Sequence, residues 1–237
     1  VKAHRLDLER RARLARLRQL TEYQDPRSSQ DLGRQVQAFR RADGEVQIFR
    51  PEANAARFQR SAERLSMAPF PVGDFLSAVE RLVDANRRFV PPHGLGSLYI
   101  RPMQHATEPR LGFGECRELA VTMYATPVGA VGSGADAIRL QAVERARVAP
   151  GGTGAAKAIG NYAGSVHVAG PAKAQGFDDV LYLDARELTY VTETSGANFF
   201  VVTRGGQLVT PPLDDQILAG ITRASVLTVA REELGLD

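Results

Sequence analysis

Lys157 sits in the most unusual stretch of the chain, GGTGAAKAIGNYAGS over residues 151–165. Gly151, Gly152 and Gly154 precede the lysine, and Gly160, Asn161 and Tyr162 follow it. Small residues leave room beside an amine for a flat ligand. A lysine with few charged neighbours also loses its proton more readily, because burial disfavours the ammonium. Both properties suit a Schiff-base lysine. The same spacing equally describes a glycine-rich loop with a solvated lysine. A nucleotide-binding P-loop is excluded, since G-x-x-x-x-G-K-[ST] is not matched. His4, His93, His105 and His167 are too scattered to make a metal site, and His105 and His167 read as bland. The single cysteine, Cys116, excludes a disulfide framework and a multi-cysteine zinc site. It reads as a structural thiol and fits a reducing compartment, so the cytoplasm is expected.

The elements that must position Lys157 are legible in a chain of 237 residues, 43% hydrophobic and 24% charged. That mix excludes a wholly disordered protein. The net charge of +3 invites a nucleic-acid reading. Residues 1–20, however, hold seven basic side chains against Asp7 and Glu9, so the rest of the chain is slightly acidic. The basicity belongs to a terminal segment, and neither a nucleic-acid partner nor a membrane is expected. No run of about 18 apolar residues is present to span a bilayer, and no apolar stretch follows the basic N-terminus as in a secretory signal. Residues 1–33 form an atypical basic segment, read as an Arg-rich helix over Leu6–Leu20, a poorly ordered tail, or an arm for nucleic acid or a membrane surface.

From residue 34 the pattern becomes regular. QVQAFRR and EVQIFR alternate around Ala42-Asp43-Gly44, a hairpin signal. NAARFQRSAERL predicts a helix with Asn54 as N-cap, and GDFLSAVERLVDANRRFV a second with Phe75, Val79, Leu82 and Val83 on one side. SLYIRPMQ, ELAVTMYAT and AIRLQAVERAR predict strands. A helix follows the lysine segment to about Gln175, with Gly176 as its cap. DDVLYLD predicts a buried strand, YVTETSGANFFVV and QLVT a hairpin around Gly205-Gly206, and ITRASVLTVAREELG a final amphipathic helix. Helices alternating with hairpin-joined strands predict a mixed α/β fold. The expected division is a small α/β domain over 34–126, a linker over 127–136 and a partial large domain over 137–237.

The lysine segment resembles the lysine motif of the branched-chain aminotransferases, enzymes of pyridoxal-phosphate fold type IV. Four further segments resemble that family in order: NAARFQRSAERL its arginine helix, SLYIRPMQHATEPRLG its Tyr-x-Arg-Pro strand, YVTETSGANFF its glutamate strand, and LVTPPLDDQILAGITRASVL its Gly-Ile-Thr-Arg region. The resemblance covers about residues 36–237. It implies pyridoxal 5′-phosphate as cofactor, with Lys157 forming the Schiff base and shuttling protons. It places Glu193 against the pyridine nitrogen and Tyr162 on the phenolic oxygen. Arg57 would pair with the phosphate, and Ile221 and Thr222 would hold that phosphate at a helix N-terminus. Tyr99 and Arg101 would orient the substrate α-carboxylate; lying two apart, they share one sheet face. Gly196 and Ala197 would border the substrate, and Asn198 would brace their turn. Arg60 and Arg64 read as surface or ion-pair residues.

The implied reaction transfers the amino group of leucine, isoleucine or valine to 2-oxoglutarate, in a homodimer with its sites near the interface. The chain looks incomplete at both ends relative to the family. Residues 1–33 do not resemble it, and the chain stops at Asp237, ahead of the family's further strands and phosphate loop. Ile159 stands where the family motif carries glycine, a position where a branched side chain would crowd the lysine segment. Two alternatives stay open: another fold-type-IV enzyme, such as a D-amino-acid aminotransferase or aminodeoxychorismate lyase, and a non-catalytic remnant.

Overall fold

The computed structural model describes residues 36–109, 111, 114–129 and 137–236. The basic segment 1–33, with its three readings, lies outside the described residues.

The first hairpin forms as its alternation predicts. Strands β1 (Val36–Arg40) and β2 (Val46–Ile48) pair antiparallel about a turn. Gly44 has φ 88° in that turn, which favours glycine. Strand β3 (Gly96–Ala106) lies between β1 and β4 (Leu119–Gly129), giving a four-stranded antiparallel sheet in the order β2-β1-β3-β4. The period of two sorts its faces. Val36, Ala38, Leu98 and Ile100 point into a core with Phe58, Phe75, Val79 and Val83. Gln37 and Tyr99 are directly paired across the strands, so they share the opposite face with Arg101.

Two helices supply the other half of that core. Helix α1 spans Pro51–Arg64 and helix α2 spans Val72–Ala85. Helix α1 starts four residues earlier than expected, with Arg50 in place of Asn54 at the N-cap. Pro51, whose fixed φ suits the first helical position, opens it, and Asn54 lies inside it instead of capping it. Arg50, in the left-handed region at φ 45°, leads into the helix, and Asn54 Nδ2 donates to the Arg50 carbonyl at 2.9 Å. Ala55, Phe58 and Ala62 form the apolar stripe of α1. Asn54, Arg57 and Ser61 form an adjacent, buried polar stripe.

Strand β4 continues to Gly129, three residues into the stretch expected to be linker. Its ladder with β3 extends to the Gly96–Gly129 pair, so backbone pairing overrides the local small-residue signal. Beyond it, β5 (Leu140–Val143) runs parallel to β6 (Asp179–Leu183), which pairs antiparallel with β7 (Val191–Thr194). Strand β5 is far shorter than AIRLQAVERAR, because the chain bends away after Val143. Helix α3 (Gly160–Ala174) lays Ala169 and Ala172 against Val180 and Tyr182 of β6. Gln175 caps α3, and Gly176 follows with φ 86°. Strands β8 (Val201–Val202) and β9 (Leu208–Val209) form the expected last hairpin. Helix α4 (Ile221–Glu232) packs Val226 and Ala230 against Leu234 and Phe200.

Phe75 is 1% exposed, and its ring centroid lies 5.3 Å from that of Phe58. Phe75→Ala is expected to destabilise the protein by about 3–5 kcal/mol in denaturant unfolding, through lost burial and a residual cavity.

Candidate active site

A cleft enclosing about 750 Å³, including its open mouth, is lined by Gln37, Phe49, Arg57, Lys157, Tyr162, Glu193, Gly196, Ile221 and Thr222, among others. These residues come from β1, the turn after β2, α1, the lysine loop, α3, β7 and the turn after it, and the start of α4, so most of the tertiary structure serves to bring them together.

The lysine loop is held from three sides. Asn161, in the first turn of α3, donates through Nδ2 to the carbonyls of Thr153 (2.7 Å) and Ala156 (2.9 Å). The Lys157 backbone N–H donates to Ser61 Oγ on α1 at 3.1 Å. Gly154 packs so closely on residues 215 and 216 that a Cβ would stand 2.6 Å from both of their carbonyl oxygens. Arg64, exposed as expected, also reaches this loop, donating to the Gly152 carbonyl through Nε at 2.9 Å and to the Gly151 carbonyl. Arg60 is exposed. Ile159 points to solvent at 59% exposure, with helical backbone angles that any residue adopts, and so does not crowd the lysine. Lys157 Nζ meets the Tyr162 hydroxyl in a hydrogen bond.

Glu193 is buried. Its Oε1 lies 2.6 Å from Arg147 Nη2 and accepts from the Leu218 N–H at 3.3 Å, and its Oε2 accepts from Asn198 Nδ2 at 2.9 Å. Burial pushes this carboxyl above the usual carboxylate range, with Arg147 the strongest opposing influence. Asn198 also donates to the Leu218 carbonyl at 2.8 Å, so it braces the turn as expected. Gly196 borders the cleft, whereas Ala197 does not line it. Ala197 closes the turn, its carbonyl accepting the Thr194 N–H at 2.9 Å.

Arg57 is buried, and Nη2 donates to Asn54 Oδ1 at 3.0 Å. Its Nε is buried without a hydrogen bond, and desolvation draws the guanidinium down to about 10. A desolvated cation with an unsatisfied donor suits an anion. Across the cleft, Gly220 leads into α4, whose first residues Ile221 and Thr222 face the same space. Helix N-termini favour anions through their free amides and dipole. Arg50 ties α1 to α4, donating from the head of α1 to Ser225 Oγ at 2.8 Å.

Tyr99 and Arg101 do not line the cleft. They lie on the sheet face that Gln37 shares, buried, with Arg101 Nη2 donating to the Tyr99 hydroxyl at 2.8 Å. Among the described residues no group of histidine, cysteine and acidic side chains makes a metal site, and no helix is long and apolar enough to cross a membrane.

The profile of the class IV aminotransferases matches residues 38–237. The chain belongs to that family. It is 44% identical over 207 residues to a probable branched-chain-amino-acid aminotransferase of Streptomyces coelicolor, covering 86% of this chain and 57% of that protein. It is 43% identical over 198 residues to a chloroplastic branched-chain amino acid aminotransferase of Humulus lupulus, covering 83% and 48%. The chain thus spans about half the length of the curated relatives it matches. Its fold superposes on the branched-chain aminotransferase of Thermoproteus uzoniensis with norvaline at a TM-score of 0.74 and 31% identity, covering 86% of this chain and 66% of that one. For the pyridoxal-phosphate form of the Thermobaculum terrenum enzyme the TM-score is 0.76, at 27% identity, with 87% and 66% covered. The architecture is that of fold type IV.

Class IV aminotransferases depend on pyridoxal phosphate, and the residues present fit it. An amine, a buried carboxylate, a buried guanidinium and a helix N-terminus line one cleft.

Gly220 has ordinary backbone angles, but a Cβ there would stand 2.1 Å from Asn198 Oδ1. Gly220→Ala is therefore expected to displace Asn198 and weaken pyridoxal-phosphate binding by about 1–3 kcal/mol, read by absorbance titration, while far-UV circular dichroism stays unchanged.

Proposed function

We propose that the chain carries the catalytic lysine of a branched-chain amino acid aminotransferase, moving the amino group of leucine, isoleucine or valine to 2-oxoglutarate. The observation that carries the reading is the shared cleft of Lys157, Glu193 and Arg57, supported by the likeness of the chain to branched-chain aminotransferases.

Bound pyridoxal phosphate would supply an aldehyde that takes up the amino group and a ring that accepts electrons from the substrate α-carbon. Lys157 Nζ would anchor the cofactor and serve as the base that moves the α-proton. The Tyr162 hydroxyl, beside that amine, stabilises the phenolic oxygen in its ionised form. Glu193 holds a proton at the ring nitrogen. Arg57 and the amides of Ile221 and Thr222 bind the phosphate. Tyr99 and Arg101 orient the substrate carboxylate, and Gly196 borders the substrate, with Ala197 closing the turn that carries it. The face that Tyr99 and Arg101 share with the cleft residue Gln37 supports their part. A first amino acid leaves as its 2-oxo acid before a second 2-oxo acid enters, so ping-pong kinetics are expected. An apolar pocket separates leucine, isoleucine and valine by only about 1–3 kcal/mol per methylene.

The reading includes a homodimer with sites near the interface and a cytoplasmic location, for which the lone cysteine is the support. It also includes a small domain over 34–126 and part of a cofactor-binding domain over 137–237.

Adding pyridoxal phosphate is expected to produce a visible absorption band that Lys157→Ala abolishes. Leucine, but not D-alanine or aminodeoxychorismate, should then bleach it. No band in the wild-type chain would refute the reading, and a response to D-alanine alone would move it to a different fold-type-IV enzyme.

A further inference from the structure

Arg147 has no part in the reading above, and it is as deeply buried as the carboxylate it meets. The side chains of Arg147 and Glu193 are 4% and 5% exposed, with Nη2 and Oε1 2.6 Å apart. The same nitrogen donates to the Gln216 carbonyl at 2.8 Å and the Gly154 carbonyl at 3.2 Å. Nε is buried and makes no hydrogen bond. Arg147 thus joins three segments of the cleft: β7, the loop before Leu218, and the glycine loop three residues ahead of Lys157. The other charged groups that act on Glu193 are Lys157 and Arg223.

A buried carboxyl without a counter-charge takes up a proton. Glu193 also faces a cleft where, on the proposed reading, it meets a basic ring nitrogen, so one proton has two possible homes. If it rests on the carboxyl, the ring is uncharged and a weaker acceptor of electrons. We infer that Arg147 is a positioning residue that keeps Glu193 an anion aimed into the cleft, so that the shared proton resides on the cofactor ring. This consequence rests on the pyridoxal-phosphate reading, while the charge of Glu193 belongs to the chain alone.

The test is a 13C NMR titration of the Glu193 carboxyl in the cofactor-free 237-residue chain, with its resonance assigned by loss in Glu193→Gln. Wild-type Glu193 is expected to be ionised at about pH 7. In Arg147→Met its midpoint should rise by about 1–3 units. Arg147→Lys should restore ionisation, because an ammonium offers three donors to the same three acceptors. In the loaded protein, Arg147→Met should lower kcat with little change in KM, and Arg147→Lys should recover it. A folded Arg147→Met in which Glu193 titrates as in wild type overturns the inference. So does a wild-type or Arg147→Lys chain with Glu193 already protonated near neutrality, a result that stands even where Arg147→Met does not fold. The titration uses no cofactor, so a missing visible band would refute the pyridoxal-phosphate reading and leave this result intact.

Discussion

Glu193 is a carboxylate taken almost wholly out of water, and the rest of the site is arranged around the cost of keeping it there. An unpaired buried charge costs several kcal/mol, roughly, unless partners replace its water. Three donors do so: the guanidinium of Arg147, the amide of Asn198 and the backbone N–H of Leu218. Each comes from a different segment. Satisfying one carboxylate therefore fixes the chain after β5, the turn after β7 and the loop entering α4 relative to each other. The glycine loop is drawn into the same arrangement through the Gly154 carbonyl.

The four-stranded sheet contributes to this site by a second route. Helix α1 is amphipathic in an unusual sense. Its apolar stripe packs on the sheet, and its polar stripe faces the cleft. From that polar stripe Arg57 enters the cleft and Ser61 accepts the Lys157 amide. Arg64 takes the carbonyls of the glycine loop, and Arg50 reaches the first turn of α4. The amine, the carboxylate and the cradle for an anion are thus positioned by contacts across the whole described fold. A change at α1 should be felt at Lys157 without touching it.

Much of this was legible in the sequence, for identifiable reasons. The strands and helices followed period-two and period-3.6 patterns, whereas Lys157, Tyr162, Glu193, Arg57 and Thr222 stood out through the resemblance of their segments to the branched-chain aminotransferases. Arg147 was not legible. It stands in VERAR, at the end of a segment that reads as a strand, and nothing local marks a bend that buries it. Asn54 suits a helix cap by residue type, but Pro51 three residues earlier is the stronger start signal, which leaves Asn54 free to hold Arg57. The end of β4 was misread because small flexible residues mark a linker only where no neighbouring strand pairs with them. Ile159 gave a false alarm, since the side chain at that position leaves toward solvent. For Arg147 and for the end of β4, contacts between residues distant in sequence decided the outcome.

The central claim is that one flat ring fits between the amine of Lys157 and the acid at Glu193. A crystal structure of the chain grown with pyridoxal phosphate tests it most directly. The account predicts continuous density from Lys157 Nζ into the ligand, the ring nitrogen within hydrogen-bond distance of Glu193, and the phosphate between Arg57 and the start of α4. A ligand bound elsewhere, or one joined to Lys157 with its ring turned away from Glu193, would contradict it.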